Sequence, residues 1–406
     1  MDKKQRNVVV MGLGYIGLPT ASLLATKGHN VLGVDVQEEV VNTINSGKVH
    51  IVEPQLDILV RSAVNSGNLK VSLTPTEADV FIIAVPTPFK LCGDNSKVPD
   101  ITYVERATES IAPSLKEGDL VILESTSPVG TTERVYEIII SKRPDLAGKI
   151  YTAHCPERVL PGHIIRELVD NDRIIGGIDA ASSAKAKEFY ETFCSGNIYV
   201  TDSRTAEMAK LVENSYRDVN IAFANELSMI CGSMKISVWE LIELANRHPR
   251  VNILQPGPGV GGHCIAVDPW FIVAANSTEA RLIRTAREVN DSKPYWVIDK
   301  IKAKAERFKD PVIGCLGLAF KAGIDDLRES PALEITRHLM ADGVGRVMAC
   351  DPNLNGHFKE FPTYDLQSVL RDSDILVLLV DHKEFKGIDR ELLKDKVVID
   401  TRGAWR

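Results

Sequence analysis

A run of apolar residues near the start of the chain leads directly into a glycine-rich turn. Residues 8–11 read Val-Val-Val-Met, and Gly12, Gly14 and Gly17 follow as Gly-x-Gly-x-x-Gly, with Tyr15 and Ile16 inside the turn. The first glycine permits a tight turn, the second lets the backbone approach a pyrophosphate, and the third lets the next helix pack closely. The amides and dipole of that helix N-terminus favour an anion. The pattern predicts a dinucleotide-binding βαβ unit.

The second strand of this unit ends in an acidic residue. Residues 31–34 are strand-like, and Asp35 follows them directly. A carboxylate in this place accepts hydrogen bonds from an adenosine ribose and disfavours a 2′-phosphate. We therefore expect the cofactor to be NAD rather than NADP. The alternative is a glycine turn in an unrelated α/β protein.

The pattern of strands and helices divides the chain into three parts. Short β-branched runs alternate with helical stretches from residue 7 to about residue 200, which predicts a doubly wound, Rossmann-type parallel sheet. A long helix follows from residue 205 to about 234, with no Gly or Pro before Gly232, and a second βα series begins at residue 312. We predict an α/β domain over residues 1–202, a helical middle domain over 203–300 and a smaller Rossmann-like α/β domain over 301–406.

Composition excludes several classes of function. The formal net charge is -7, which argues against binding nucleic acid or an anionic membrane. No apolar stretch reaches spanning length, and the polar start is unlike a signal peptide. Seven cysteines are scattered without a Cys-x-x-Cys pair, and no His-x-x-x-His pair occurs. We expect reduced thiols, a cytoplasmic location and no metal. The cysteines are Cys92, Cys155, Cys194, Cys231, Cys264, Cys315 and Cys350.

Polar residues follow three further strands of the predicted first sheet. Thr87 follows residues 80–85, Thr126 follows residues 120–123, and Glu157 with Arg158 follows residues 150–153. Ligands of such sheets bind outside the carboxyl ends of the strands. The two threonines are candidates to donate hydroxyls to cofactor or substrate, with turn formation as the alternative. Glu157 is a candidate for positioning water.

One cysteine lies in a loop that is unusually rich in glycine. Residues 257–262 contain four glycines, and Cys264 follows four residues before an Asp268-Pro269 step. Glycine lets a backbone approach a ligand closely, so the loop predicts a catalytic thiol. The alternative is a small buried hydrophobic residue. Asp268 is also expected to cap a helix that runs to Ala275, with Pro269 as its first residue.

Cationic and amide side chains precede and follow this loop. Spacings of four and three place Lys210, Asn214 and Arg217 on one helix face. We interpret this face either as lining a cleft or as solvated. A second group is suited to binding a diphosphate. That group consists of His248, Arg250 and Asn252 before the loop, and of Lys321, Arg328 and Arg402 in the last domain. A surface ion pair is the alternative for each of the last three.

Long segments of the chain resemble the UDP-glucose/UDP-mannuronic acid dehydrogenase family from Gly12 to Arg402. They are residues 155–162 (CPERVLPG), 203–226 (SRTAEMAKLVENSYRDVNIAFANE) and 245–271 (ANRHPRVNILQPGPGVGGHCIAVDPWF). Within the family they are similar to the bacterial branch that acts on UDP-N-acetyl-D-mannosamine. The UDP-glucose branch has Ser-Cys-Phe-Pro-Lys-Asp where this chain has residues 263–268, His-Cys-Ile-Ala-Val-Asp. This departure disfavours a glucose substrate.

The resemblance implies an activity and assigns roles. The sugar's carbon 6 would be oxidised to a carboxylate with two NAD and one water, for surface polysaccharide synthesis. Cys264 would form a thiohemiacetal and then a thioester. Lys210 and Asn214 would stabilise the oxyanion, and Asp268 with Glu157 would handle protons or water.

The resemblance also implies binding residues and partners. The first domain would bind NAD, with Arg328 contacting it, the last would bind the UDP-sugar, and the middle helices would form a homodimer. The implied UDP-sugar contacts are Arg158, Val159, Lys210, Asn214, Arg217, His248, Arg250, Asn252, Gly261, Phe320, Lys321 and Arg402. Related dehydrogenases of UDP-N-acetylglucosamine or UDP-glucose, and a non-enzymatic NAD-sensing module, are the alternatives.

Overall fold

The computed structural model describes residues 5–51, 53–91, 93, 97–160, 162–354 and 358–406. Cys92 lies outside these residues. The chain divides into two compact units, residues 1–212 and 213–406. Each unit has a sheet and a hydrophobic core of its own. The boundaries of the three domains that the sequence suggests stay a prediction.

The first unit is built on an eight-stranded sheet. Its order is β10-β9-β8-β7-β4-β1-β2-β3, and a two-stranded antiparallel ribbon, β5-β6, lies outside it. The strands are β1 (Asn7–Met11), β2 (Asn30–Val34), β3 (Leu69–Ser72), β4 (Val80–Ile83), β5 (Phe89–Leu91), β6 (Lys97–Pro99), β7 (Leu120–Leu123), β8 (Tyr151–His154), β9 (Arg173–Gly177) and β10 (Ile198–Asp202).

Helices cover both faces of this sheet. They are α1 (Gly17–Thr26), α2 (Glu38–Asn45), α3 (Leu56–Asn65), α4 (Thr102–Ile111), α5 (Thr131–Lys142), α6 (Ile164–Asp170) and α7 (Ala180–Tyr190), with 3-10 turns at Ala112–Ser114 and Pro144–Leu146. Alternate residues of β1 enter two different cores: Val8 and Val10 pack in one, and Val9 and Met11 pack in the other. A strand buried on both faces must be apolar throughout, which explains the continuous Val-Val-Val-Met run.

The prediction of an α/β doubly wound fold is confirmed, but the sheet is not parallel throughout. Strand β9 pairs antiparallel with β8, through Ala153 opposite Gly177 and His154 opposite Gly176. The connection between these two strands contains the short helix α6. The sequence pattern also missed β3 and the β5-β6 ribbon. Each of these strands has only three or four residues.

Helix α8 (Ser203–Met234) is the long helix that the sequence predicts, and it continues past the division between the two units. Near its start, the buried side chain of Glu207 binds the N-terminus of α5. Its carboxylate accepts hydrogen bonds from the amides of Gly130 at 2.6 Å and Thr132 at 2.7 Å, and from the Thr132 hydroxyl at 2.6 Å. A carboxylate at a helix N-terminus pairs amides that have no partner within the helix.

The second unit contains a four-stranded parallel sheet of order β12-β11-β13-β14. Its strands are β11 (Val312–Leu316), β12 (Arg346–Cys350), β13 (Ile375–Leu378) and β14 (Val397–Asp400). Its further helices are α9 (Val238–Ala245), α10 (Asp268–Ala275), α11 (Arg281–Ala305), α12 (Pro331–Ala341), α13 (Leu366–Asp372) and α14 (Lys383–Lys386), with a 3-10 turn at Arg390–Leu393. The predicted smaller Rossmann-like domain is thereby confirmed.

The prediction that Asp268 caps a helix is wrong in its detail. Helix α10 does begin here, but Val267 is the capping residue and Asp268 is the first helical residue. The Asp268 carboxylate accepts a hydrogen bond from the side chain of Asn214, which lies far away in the chain.

Within the described ranges, no helix combines the length and apolarity that a membrane crossing requires. Nor does any group of three His, Cys, Asp or Glu side chains among these residues have the arrangement of metal ligands.

We predict that Glu207→Ala lowers the melting temperature of the protein by several degrees. The change leaves the buried amide and hydroxyl of Thr132 without an acceptor, at a cost of about 1–3 kcal/mol for each group, and also removes the acceptor of the half-buried Gly130 amide. Arg204→Ala is the control on the same helix, because it removes only a surface ion pair with Glu133. Differential scanning fluorimetry measures both. Equal melting temperatures for the two variants would contradict the capping role of Glu207.

Candidate active site

The glycine turn after β1 has the geometry of a phosphate-binding site. Gly12 has a φ of +87°, and its amide donates to the carbonyl of Val34 at 2.8 Å. A Cβ on Gly12 would lie 2.8 Å from the carbonyl oxygen of Ala84, and a Cβ on Gly17 would lie 1.8 Å from that of Gly12. A Cβ on Gly14 would meet no described atom within 4 Å. Two glycines are therefore required by packing, and the third leaves open space for a ligand.

Asp35 is held at the end of β2 by two backbone amides. Its Oδ2 accepts from the amide of Leu13 at 3.0 Å, and its Oδ1 accepts from the amide of Gln37 at 3.0 Å. Each carboxylate oxygen has a further lone pair, so the group can still accept from a ribose. No acidic side chain lies in the described first turn of α1 to oppose an anion there. The residues present fit NAD.

Hydroxyl groups tie the loops after β4 and β7 to each other, and the Ser125 hydroxyl donates to the carbonyl of Val85 at 2.7 Å. The Thr87 hydroxyl is buried and donates to the carbonyl of Thr126 at 2.5 Å. In this structure Thr87 thus joins two strand ends at the edge where ligands bind in such sheets. The Thr126 side chain is half-buried beside it.

Glu157 is buried after β8 in an ion pair that the sequence gave no reason to expect. Its Oε2 accepts from Arg173 Nη1 at 3.1 Å, and its Oε1 accepts from the amide of Arg158 at 2.6 Å. Arg173 lies on β9 and also donates to the sulfur of Cys194 and to the carbonyl of Leu168. Both oxygens of the Glu157 carboxylate thus accept hydrogen bonds.

A second buried carboxyl lies near this pair. Glu124 follows β7, and its Oε1 accepts from the hydroxyl of Tyr190 at 2.5 Å. Burial raises the pKa of Glu124 to about 7, and the negative charge of Glu157 adds to this shift while Arg173 opposes it. No role for Glu124 is predicted from the sequence. Neither Arg173 nor Tyr190 belongs to a motif, so no local signal pointed to this cluster.

The polar face of α8 changes in exposure along the helix. Lys210 is half-buried, Asn214 is buried and Arg217 is exposed. Asn214 Nδ2 donates to Asp268 Oδ2 at 2.6 Å, so two of the predicted catalytic residues are in contact. The Asn214 amide nitrogen has a second hydrogen for another acceptor.

The glycine loop presents Cys264 on a tightly packed backbone. Its side chain is exposed, whereas the other cysteines that the structure describes are buried or half-buried. The Cys264 carbonyl accepts from the amide of Asp268 at 2.8 Å, which closes a turn around the thiol. Gly262 has a φ of +86° and donates to the carbonyl of Arg328 at 3.0 Å. A Cβ on Gly261 would lie 2.4 Å from the carbonyl oxygen of Glu329. The loop can approach this neighbour only because it is made of glycine.

Lys321, Arg402 and Phe320 line one cavity beside the glycine loop, within the second unit. Arg402 Nε donates to Asp381 at 3.1 Å, which orients its guanidinium. Arg328 is exposed, and its Nη2 lies 2.6 Å from Asp326. The structure therefore brings three of the predicted cationic and aromatic residues together and leaves Arg328 in a local ion pair.

The other predicted diphosphate ligands lie on a separate turn. His248, Arg250 and Asn252 are exposed, and the Arg250 amide donates to His248 Nδ1 at 3.3 Å. Asn246 closes the turn by binding the amide and the carbonyl of Ile253, at 2.7 Å and 3.0 Å. The sequence analysis gave Asn246 no role, although an Asn at the end of a helix is a common cue for a turn.

Comparison with known proteins decides the family. Residues 6–194 match the NAD binding domain of the UDP-glucose/GDP-mannose dehydrogenase family, residues 204–292 match its central domain, and residues 314–406 match its UDP binding domain. The chain belongs to this family. As a member of the family, it is an NAD-dependent UDP-sugar dehydrogenase. The prediction of NAD as cofactor is therefore confirmed.

Individual relatives are similar over nearly their whole length. The chain is 55% identical to the UDP-N-acetyl-D-mannosamine dehydrogenase of Escherichia coli K12, over 98% of this chain and 99% of that protein. It is 57% identical to an NDP-N-acetyl-D-galactosaminuronic acid dehydrogenase of Ralstonia nicotianae, over 100% and 97%. The solved UDP-N-acetyl-mannosamine dehydrogenase of S. aureus superposes with a TM-score of 0.89 at 44% identity, over 98% of this chain and 95% of that one.

We predict that Asp35→Asn weakens NAD binding by about tenfold, because it removes the charge from a hydrogen bond to the ribose. The asparagine oxygen can still accept from Leu13, so the turn is expected to keep its shape. Isothermal titration calorimetry with NAD measures the loss, and the affinity for the UDP-sugar serves as the control. Parental NAD affinity in the variant would show that Asp35 does not contact the cofactor.

Proposed function

We propose that this dehydrogenase oxidises carbon 6 of UDP-N-acetyl-D-mannosamine to the carboxylate, giving UDP-N-acetyl-D-mannosaminuronate. The observation that carries the proposal is the exposed Cys264 thiol on the glycine loop, four residues from an Asp268 carboxylate bound to Asn214. The similarity to the E. coli enzyme supports the choice of sugar. We further propose a cytoplasmic role in supplying a precursor of surface polysaccharide.

Four electrons leave the sugar in two steps. NAD, when bound, supplies the hydride acceptor for each oxidation. After the first oxidation gives an aldehyde, the Cys264 thiolate adds to its carbon, and the new C–S bond gives a thiohemiacetal whose carbon can release a second hydride. The product of that step is a thioester. Water then adds to the thioester, the C–S bond breaks, and the acid and the thiol are released.

The other residues assigned to the reaction have roles in this scheme that follow from their chemistry. We assign Lys210 and the second amide hydrogen of Asn214 to the oxyanion that forms when sulfur or water adds. Asp268 accepts the protons that leave the alcohol and water, since its carboxylate is held by Asn214. Each oxygen of Glu157 keeps a lone pair beyond its present hydrogen bonds, which suits a group that orients water.

The binding roles divide by chemistry. Lys321 and Arg402 supply positive charge to a diphosphate, and Phe320 supplies an apolar face beside them. Arg328 is assigned to NAD. The remaining residues assigned to the UDP-sugar are Arg158, Val159, Lys210, Asn214, Arg217, His248, Arg250, Asn252 and Gly261.

A second sugar is favoured by the Ralstonia relative, whose name specifies an N-acetyl-D-galactosaminuronic acid. Steady-state turnover on purified UDP-N-acetyl-D-mannosamine, UDP-N-acetyl-D-galactosamine, UDP-N-acetyl-D-glucosamine and UDP-glucose separates the candidates. We expect the highest kcat/KM for the mannosamine derivative, with two NADH formed for each sugar consumed. A higher value for the galactosamine derivative would replace the proposed substrate.

We predict that Cys264→Ser abolishes formation of the acid, because a serine hydroxyl is a far weaker nucleophile than a thiolate near neutral pH. NADH production should fall almost to zero, or a sugar ester should accumulate on the enzyme and be visible by intact mass spectrometry. Cys231→Ala is the control, since Cys231 is buried among apolar residues. Two NADH per sugar at the parental rate in Cys264→Ser would show that Cys264 is structural.

We also propose that the protein is a homodimer that uses α8. Spacings of four and seven place large exposed apolar side chains on one stripe of this helix. They are Met208, Val212, Tyr216, Phe223, Ile230 and Met234.

We predict that light scattering of the parental protein gives twice the mass of one chain, and that the Tyr216→Glu variant has the mass of one chain. Ile58→Glu, at an exposed apolar residue of α3, is the control. A parental protein with the mass of one chain would exclude the dimer.

A further inference from the structure

The loop that carries Cys264 is hydrogen-bonded near both of its ends to buried side chains. At the first end, the amide of Gly257 donates to Asn225 Oδ1 at 2.8 Å. At the second end, Arg287 Nη1 donates to the carbonyl of Ile265 at 3.5 Å. Asn225 lies on α8 and Arg287 on α11, and both side chains have no exposed surface. The segment from Gly257 to Ile265 is thus attached to two helices.

The two attachments belong to one network. Asn225 Nδ2 donates to Asn290 Oδ1 at 2.8 Å, and Asn290 Nδ2 donates to Asp218 Oδ1 at 2.8 Å. Arg287 Nη1 donates to the same Asp218 oxygen at 2.5 Å. Because each of these side chains is buried, a change at one is transmitted to the next through contacts that water cannot replace.

The network contains charges that are costly to bury. Burial raises the pKa of Asp218 to about 6, although the nearby Arg287 favours the charged form. Arg287 is also paired with Asp291. Buried ion pairs of this kind often add little stability compared with apolar packing. Because these charges lie beside the loop that carries Cys264, their hydrogen bonds can position that loop even where they add little stability.

We propose that Asn225 and Arg287 are positioning residues that hold the two ends of the Cys264 loop, so that the thiol is presented in the geometry required for attack on the aldehyde. The inference rests on the proposed role of Cys264 as the nucleophile. The middle of the loop is held separately through Gly262 and Arg328. Loss of one end therefore loosens the segment near Cys264 without releasing the whole loop.

The same face of α8 reaches the residues that follow the loop. Spacings of four and seven place Asn214, Asp218 and Asn225 on one side of the helix. Asn214 binds Asp268, and the Asp268 amide closes the turn around Cys264. One helix face thus sets the loop end at Gly257 and the turn after the thiol.

The test is Asn225→Ala, measured by turnover and by thiol labelling. We expect kcat for the UDP-sugar to fall by about 100-fold, the size of loss that a misplacement of about 1 Å causes, while the KM for NAD is unchanged. We expect iodoacetamide to alkylate Cys264 at least about three times faster than in the parent, because a loosened loop exposes the thiol more often. Peptide mass spectrometry assigns the labelled residue.

Two cysteines in the same unit report whether the variant is folded. Cys315 and Cys350 are buried on β11 and β12, so they should stay unlabelled while Cys264 reacts faster. Ser228→Ala is the matched control on α8, because the Ser228 hydroxyl contacts Lys293 and the Asn225 carbonyl but makes no described hydrogen bond to the loop. Parental kcat and labelling are expected for this control. A loss equal to that of Asn225→Ala would overturn the proposal.

Arg287→Lys is the second variant, for the case that Asn225→Ala does not fold. Lysine keeps a positive charge beside Asp218 but cannot also reach Asp291 and Ile265, because it lacks the guanidinium fork. The same fall in kcat and the same faster labelling of Cys264 are expected. A parental kcat in the folded variant, or labelling no faster than in the parent, would overturn the proposal.

Labelling of the parent separates this inference from the proposed function. If the parent retains full turnover after complete alkylation of Cys264, the nucleophile is another group and the proposed function is wrong. If alkylation stops turnover but Asn225→Ala and Arg287→Lys behave as the parent does, the proposed function stands. The positioning role of Asn225 and Arg287 is then excluded.

Discussion

A polar side chain buried on a helix face must find its hydrogen-bond partners in neighbouring loops, since the helix backbone is already paired with itself. Helix α8 has such a face. Its Glu207 binds the start of α5, its Asn214 binds Asp268, and its Asn225 binds Gly257. Apolar contacts are non-directional, whereas a hydrogen bond requires a narrow range of distances and angles. The positions of the loops in both units therefore depend on α8.

The turn after β1 in the first sheet and the turn after β11 in the second sheet have similar hydrogen bonds. In the first, the Gly12 amide donates to the last residue of β2 and Asp35 accepts from Leu13. In the second, the Gly317 amide donates to the last residue of β12, and Asp351 accepts from the amides of Leu318 and Ala319. The Asp351 side chain has no exposed surface and lies 3.3 Å from His382. The shared fold supplies the acid, and its surroundings decide whether a ligand can reach it.

Burial decides the chemistry of the carboxyl groups near the strand ends of the first sheet. Glu157 is paired with Arg173, whereas Glu124 is bound by a neutral phenol and has a pKa raised to about 7 by burial. A carboxyl with such a pKa changes its protonation near neutral pH. Two side chains of the same type therefore differ in behaviour because of partners that come from β9 and α7.

Local pattern alone determined most of the elements and the main candidates in this protein. The apolar run before Gly12, the acid after β2 and the long α8 could be predicted because strand ends, glycine turns and helix spacing are properties of neighbouring residues. Only the tertiary structure decided that β9 runs antiparallel to β8, that Asp268 binds Asn214 rather than capping α10, and that Glu157 pairs with Arg173. These contacts join residues far apart in the chain, and no local pattern specifies which distant partner a buried polar group will find.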